Sequence, residues 1–473
     1  MSLKQWGSRK VVERLVITGT LRMLTPTHLG SGEAADITDM TLLRDEVTGH
    51  PLLTGTTIAG ALRNYLRKRL YGYDGTPPKK SPLTLLFGGE RGDEEGKQSL
   101  LIVDDALGQS SGVEIRDGVA IDPKTGTAEE HKKYDVELLA AGTTFPLRFE
   151  LLIRGGKGEE LKQALAVALQ GLEREEIRLG ARKRRGFGRC KVEGWKVIRY
   201  DLTTPEGLIA WLEEKEEPKR EGQKIAELLG VEAEEDRRCR FTLEATFRLR
   251  SPLLIRSAEK GADLGADFAQ IHSQRDGEEV PVLPGTSVAG VLRHRALRIL
   301  NTLSDGAGEA LVRELFGGEE KTGKETKLTA SRLIVEETVI REATMLIQPR
   351  IRIDRFTGGV YPGALFSEAP LVGKPHVKLK LELRNPQEWE IGLLLLLLKD
   401  LWTGDLPIGG ERSIGRGRLQ GAEALMTYRC HNLSWEGAIH QDEKELHLKG
   451  CSKETLEAYL DALHRAMQQG KGE

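Results

Sequence analysis

The stretch PLLTGTTIAGALR at residues 51–63 is written again, 230 positions on, as PVLPGTSVAGVLR at residues 281–293. A missed internal repeat misreads a whole fold, so the rest of the chain is best read outward from this pair. LLFGGE at 85–90 returns as ELFGGE at 314–319, and LIVDDA at 101–106 as LIVEET at 333–338. VAIDPKTG at 119–126 returns as IRIDRFTG at 351–358, and GARKRRGFGR at 180–189 as GGERSIGRGR at 409–418. These landmarks keep their order at offsets of about 230, so the chain reads as two fused copies of one domain. The expected division is a first copy over 1–203, a charged helical connector over 204–237, a second copy over 238–430 and an extension over 431–473.

Each copy opens with a strand signal. Phe241, Leu243, Ala245, Phe247 and Leu249 alternate with polar residues, the period of a half-buried strand. The repeated GT(T/S) segment then carries helical spacing. A variable middle leads to a second strand (Leu147 to Ile153; Val377 to Leu383), an apolar helix (Leu161 to Leu172; Ile391 to Leu401), a Gly/Arg loop and a last strand. This order predicts an α+β fold of two tandem ferredoxin-like units with long insertions. The connector, rich in Glu and Lys, reads as a solvated link, and Lys453 to Met467 as an amphipathic helix.

Length and composition limit the function. At 473 residues with 39% apolar and 30% charged side chains, the chain suits a soluble globular protein with a large core. With 70 basic and 72 acidic residues the formal charge is −2, so any basic site has to be local. Glycine reaches 54 residues, above the usual share of roughly 7%, and glycine is the residue that lets backbone approach a ligand closely. Cys190, Cys239, Cys430 and Cys451 have no metal-ligand spacing, which argues against a disulfide scaffold or zinc module and points to a reducing compartment. The start MSLKQWGSRK lacks the apolar core of a signal peptide, and the longest leucine run, 393–398, is too short for a membrane span. The expected location is the cytoplasm.

Three loop features carry chemistry. The first Gly/Arg loop sets Arg182, Lys183, Arg184, Arg185 and Arg189 among glycines, and the second offers Arg412, Arg416 and Arg418. Glycine with arginine suits phosphate, because guanidinium forks grip its oxygens in bidentate fashion. A solvated basic turn is the commoner meaning of one such loop, but recurrence in both copies favours the phosphate site. The helix starts at Gly55 and Gly285 present free N–H groups, with Arg63 and Arg293 about two turns inside. Finally, Gly-rich loops place Asp36 and Asp267 nine residues before the aspartates of two matching Arg-Asp pairs, Arg44-Asp45 and Arg275-Asp276. Near RNA such an Asp can hold a divalent metal or assist attack by a 2′-hydroxyl, although turn formation is its ordinary role. GGEEKTGKET at 317–326 misses a P-loop because Glu325 stands where Ser or Thr is needed. His28 and His272 read as structural.

With these residues together, the sequence resembles the RAMP superfamily of CRISPR-associated proteins, and in particular the repeated backbone subunits of type III effector complexes. The shared pattern is a loop like HLGSGEA…D…RD..TGHPLLTGTTIAGALR followed by a Gly/Arg loop like GARKRRGFGR, and both halves carry it over about residues 12–425. A fusion of two such subunits resembles type III-D variants. The resemblance implies an RNA-recognition-like ferredoxin fold that grips guide RNA by its backbone, and a thumb-like insertion that interrupts the guide–target duplex. It also implies a loop Asp that supports cleavage of target RNA with Mg²⁺ or Mn²⁺, and other type III subunits as partners. The family's acid stands six residues before the Asp of the Arg-Asp pair. That count selects Asp39 in the first copy and meets Gln270 in the second, whereas the nine-residue count selects Asp36 and Asp267. Asp36 and Asp267 rank first as catalytic and metal-binding residues, with Asp39 as rival. A scaffold without cleavage and a guide-processing endoribonuclease remain the alternatives.

Overall fold

Alternating burial builds the two central strands. Strand β1 (Val11–Met23) turns Leu15, Ile17, Leu21 and Met23 inward, and its counterpart in the second copy buries Phe241, Leu243, Ala245, Phe247 and Leu249. The structure is a computed structural model and describes residues 10–32, 39–89, 98–122, 125–155, 157–216, 219–232, 236–257, 264–303, 308–322, 325–431, 433–442 and 445–469.

In the first copy β1 is followed by α1 (Gly55–Tyr71), β2 (Leu101–Val103), a hairpin of β3 (Val113–Ile121) and β4 (Ala128–Leu139), β5 (Thr144–Arg154), α2 (Gly158–Glu173) and β6 (Cys190–Asp201). The sheet runs β2-β5-β1-β6 with every neighbour antiparallel, the ferredoxin-like order. After α3 (Pro205–Leu212), β7 (Lys219–Gly222) adds to the β6 edge, and α4 (Ile225–Leu229) packs on α2. The second copy repeats the plan with β8 (Arg240–Leu249), α5 (Gly285–Leu303), β9 (Leu333–Val335), β10 (Gln348–Arg350), β11 (Phe366–Ala369), β12 (His376–Arg384), α6 (Glu388–Thr403) and β13 (Leu419–Cys430). Its sheet, β9-β12-β8-β13, is extended by β14 (Leu433–Asp442) and β15 (Glu445–Lys449), and α7 (Lys453–Gln469) packs on α6. The pairing of each central strand with the last strand shifts register at the same place, Gly19/Thr20 and Thr246/Phe247.

Each copy has its own core. The segment expected to be a solvated link instead caps the first one, because Ile225 and Leu229 complete an apolar face that charge counting hides. Leu463 and Met467 of α7 do the same for the second. The cysteine expectation is corrected at one pair: Cys239 and Cys430, at the facing ends of β8 and β13, form a disulfide, brought together by strand pairing across 191 residues.

The β3–β4 hairpin of the first copy leans across the second copy. Arg116 on it pairs with the fully buried Glu337, which Arg275 also holds, and Arg178 pairs with Glu336. Glu114 accepts from the Ser273 hydroxyl and, at 2.7 Å, from the Gln274 N–H. The first Gly/Arg loop lies in the same seam, where Arg185 donates to the Phe316 carbonyl at 2.9 Å. Gly186 has φ 96°, and a Cβ there would fall 2.4 Å from the Glu337 nitrogen, so only glycine lets the backbones meet.

Candidate nucleic-acid interface

Both Gly/Arg loops use one backbone device. A left-handed residue (Arg182, φ 52°; Glu411, φ 57°) opens a single 3-10 turn (Lys183–Arg185; Arg412–Ile414) that a left-handed glycine closes. The side chains differ. Arg182 lies 4.3 Å from the Tyr134 ring and donates to its hydroxyl at 2.6 Å, whereas Glu411 turns inward to an ion pair with Arg416.

Between the copies lies a groove of about 1470 Å³. Arg182, Lys133 and Tyr134 line it from the first copy, and Arg293, His294, Arg313 and Arg412 from the second. Its cations crowd one another. Burial and then Arg313 lower the Arg293 guanidinium, and burial with Arg293 and Arg412 holds His294 below its ordinary value. Arg185 is brought down to about 10 by burial, Arg293 and Arg184. Cations that depress one another lack enough anions of their own, an electrostatic setting that favours a polyanionic ligand.

A second cationic group sits on the other side of the same loop. Burial, then Arg384, Arg67, Arg184 and Lys183, lower Lys68 to about 7. Burial and neighbouring cations also lower Lys183 and Arg184. The folded lysine therefore gives up its proton before the unfolded one, and the penalty for its charge, fully present below about pH 6, fades as pH rises toward about 10. Lys68→Met is expected to raise the melting temperature at the acidic end of that window and to leave it nearly unchanged at the alkaline end. An equal shift throughout would place Lys68 outside the cluster.

The remaining sequence candidates divide. Arg63 is half-buried on α1, at the position Arg293 takes on α5; Arg412 and Arg418 are exposed. Arg293 donates to the Gly317 carbonyl at 2.7 Å, and Arg189 is tied to Glu175 at 2.9 Å. The helix starts are not open phosphate sites: the Gly55 N–H donates to Asp105 at 2.6 Å, and the Arg185 carbonyl crowds Gly285. Arg416 is a correction. It is buried at 3% exposure against Glu368 and Glu411, because its counterpart in the first copy is Phe187, packed on Val136, and the second copy replaces that apolar contact with an ion pair. Arg416→Met is expected to leave RNA affinity unchanged while costing about 1–3 kcal/mol of stability. Denaturant titration beside an RNA-binding curve checks both.

Asp36 lies outside the described residues. Asp39 and Asp267 turn out to be the matched pair. Asp39 accepts from the backbone N–H of Asp135 at 2.9 Å, and Asp267 accepts from that of Ser367 at 2.6 Å. Met40 bridges Val136 in parallel as Phe268 pairs with Glu368, so the two acids hold the same place at the base of each insertion. The nine-residue count fails because the second copy has three more residues between this acid and its Arg-Asp pair. In the first copy Asp117 and Asp135 stand near Asp39. Burial and Asp117 raise the Asp135 carboxyl, Lys133 opposes, and Asp39 adds to the rise. The second copy has Pro349 and Ser367 at those places. The Oδ1 of Asp135 is buried without a hydrogen bond but lies 3.8 Å from the Lys133 ammonium, which also pairs with Asp117, and the three carboxylates do not converge on one point as a metal centre would require. His28 is buried with its Nδ1 on the Glu137 carbonyl, and His272 engages the Gln270 carbonyl.

The family model of the RAMP superfamily matches residues 20–191 and again 246–420. The chain belongs to the RAMP superfamily. Two tandem RAMP domains thus account for the repeat and for the two ferredoxin-like sheets. Over 216 residues, 41% of this chain and 96% of the relative, it is 24% identical to the CRISPR system Cms endoribonuclease Csm3 of Streptococcus thermophilus. Over 47 residues it is 43% identical to the CRISPR system Cmr endoribonuclease Cmr4 of Pyrococcus furiosus, a match spanning 10% of this chain and 16% of that protein. Among the described residues no helix is long and apolar enough to cross a membrane. The RAMP motifs point to the loop arginines. Lys68, His294, Arg313 and Arg384 carry no such signal, because only the fold brings these separate segments to the same loop.

Proposed function

We propose that this tandem RAMP protein is a double backbone subunit of a type III CRISPR effector complex, holding guide RNA in the groove between its copies and cleaving complementary target RNA. The observation that carries the reading is the crowding of Arg182, Arg293, His294, Arg313 and Arg412 along that groove, with Arg185 close behind Arg293, so that burial and neighbouring cations lower Arg185, Arg293 and His294. Gripping of this kind reads a backbone by shape and charge, and leaves sequence to base pairing. The two relatives, both named as endoribonucleases, favour cleavage over the scaffold reading.

Cleavage would occur at the base of each insertion. Asp39 and Asp267, each steadied through one carboxylate oxygen by a backbone N–H, keep the other to orient or deprotonate a ribose 2′-hydroxyl for attack on the adjacent phosphate. That attack breaks the bond to the 5′-oxygen of the next nucleotide and leaves a 2′,3′-cyclic phosphate and, once that oxygen takes a proton from water, a 5′-hydroxyl. In the first copy Asp39 and Asp135 offer the nearest carboxylates to a divalent cation brought with the RNA, whose chemistry when bound is to polarise phosphate oxygen and neutralise developing charge. Asp36 belongs to the same loop and stays in the test. Assembly of the complex with a guide and labelled complementary RNA, with Mg²⁺ or Mn²⁺ added, tests the reading through Asp36→Ala, Asp39→Ala and Asp267→Ala. Loss of cuts supports it. Cuts that persist in all three variants remove the assigned acids, no cuts in the parent favour the scaffold, and trimming of free precursor RNA favours guide processing.

A further inference from the structure

The seam inside the chain shows how one copy docks on the next, and the repeat allows each of its residues to be found again at the chain's outer ends. Strand pairing fixes the correspondence. Arg116 faces Val136 as Gln348 faces Glu368, and Val113 faces Leu139 as Met345 faces Leu371, a constant offset of 232 positions. The groups by which the first copy holds the second include Glu114, Arg116, Arg178 and Arg185, together with the exposed Arg22–Asp276 pair. The counterparts of the first four on the outward face of the second copy are Leu346, Gln348, Pro407 and Ile414, all uncharged, whereas Arg22 and Asp276 recur as Arg248 and Asp45. Leu346 and Ile414 are 50% and 54% exposed, and Leu365, at 69%, stands where the first copy has Lys133. The receiving face changed differently. Glu336 and Glu337 accept the arginines in the seam, and the corresponding residues on the outward face of the first copy are the acids Asp104 and Asp105.

Resting on the assignment as a backbone subunit, we propose that the outward face of the second copy docks a different subunit, one whose receiving face is apolar, and that the chain does not stack on itself. Two observations argue for this occupant. The face continues an interface already built within the chain, so its geometry is one that receives a RAMP-like neighbour. Its chemistry disfavours another copy of this chain, because Asp104 and Asp105, held within their own copy by Arg148 and the Gly55 N–H, would lose their remaining water against Leu346 and Ile414 with no arginine from the neighbour to replace it, which costs more than the single retained Arg248–Asp45 match returns. Specificity built from a mismatch against self is a common way to fix the order of similar parts. Leucine and isoleucine side chains left this exposed are a liability on a free monomer, which fits a face that is covered on assembly.

The test uses the full chain without RNA, so that it stands apart from the RNA-binding reading. In sedimentation velocity the parent is expected to remain a single chain across a wide concentration range. A variant carrying Leu346→Glu, Gln348→Arg and Ile414→Arg restores the chemistry of the seam. It is expected to associate end to end at least about tenfold more tightly than the parent. Adding Asp104→Asn and Asp105→Asn to it should reverse that gain. Circular dichroism and melting temperature confirm that each variant is folded. In the complex purified from its host, Leu346→Asp with Ile414→Asp should remove the neighbour cross-linked to the second copy and keep the one at the first. End-to-end association of the parent, a folded restored variant that stays a single chain, or retention of both neighbours would each overturn the proposal. Failure of RNA binding with these results intact would instead strike the functional reading alone.

Discussion

Glu337→Ala is expected to destabilise the chain by about 3–5 kcal/mol and to loosen the two copies from each other. Burial alone would raise this carboxyl, but Arg116 and Arg275 hold it below its ordinary value, so it is charged in the seam. Removing it leaves two guanidiniums, 6% and 14% exposed, without their shared partner. Most of the cost is the uncompensated charge rather than the value of the pair, so Glu337→Gln with Arg116→Met should recover part of it. Because the folded carboxyl titrates below the unfolded one, its contribution is present above about pH 4.5 and is lost as pH falls further. Urea unfolding followed by tryptophan fluorescence, with limited proteolysis of the connector, reads both effects. A loss under about 1 kcal/mol would mean that the seam is not held by this ion pair.

The second large effect concerns cleavage. Each acid sits at the base of its own insertion, so cuts in target RNA are expected in pairs, one for each copy. Asp39→Ala should abolish one cut of the pair and Asp267→Ala the other, each by about 10²–10⁴-fold, the usual worth of a positioned acid–base group. The two cuts should differ in their need for metal. Asp39 has Asp135 beside it, whereas Asp267 has Ser367 at that position. Titration of Mn²⁺ with end-labelled target should therefore restore the first cut at lower concentration. Equal metal dependence would assign the cation to the RNA and not to the carboxylates.

Repeats, strand alternation and loop composition make the fold legible in the sequence. Phe241 to Leu249, the helix at Gly158–Glu173 and the terminal helix from Lys453 all lie where their periodicity puts them. The connector misleads for a physical reason. Two buried residues, Ile225 and Leu229, decide the fate of a segment whose average character is charged. The loop acids fall out of register because counting along the chain cannot see a three-residue insertion, whereas a shared hydrogen bond to Asp135 or Ser367 can. Arg416 reads as a phosphate ligand because composition does not say which way an arginine points: its partner Glu368 lies in another segment, and Glu411 of the same loop turns inward to meet it. The asymmetry of the two ends needs both levels, sequence for the repeat and structure for which repeated residues meet.

The claim on which everything else depends is that the groove between the copies holds an RNA backbone by charge. Affinity for a guide-length single-stranded RNA, measured across a salt series, tests it most directly. Each phosphate contact releases counterions, so the slope of log affinity against log salt counts the contacts, at about 0.7 for each on a single strand. Reversing Arg182, Arg293 and Arg412 to Glu in one folded variant should weaken binding by at least about 100-fold and flatten the slope by about 2. A folded variant with the parent's affinity and slope would show that the groove is not where the RNA lies.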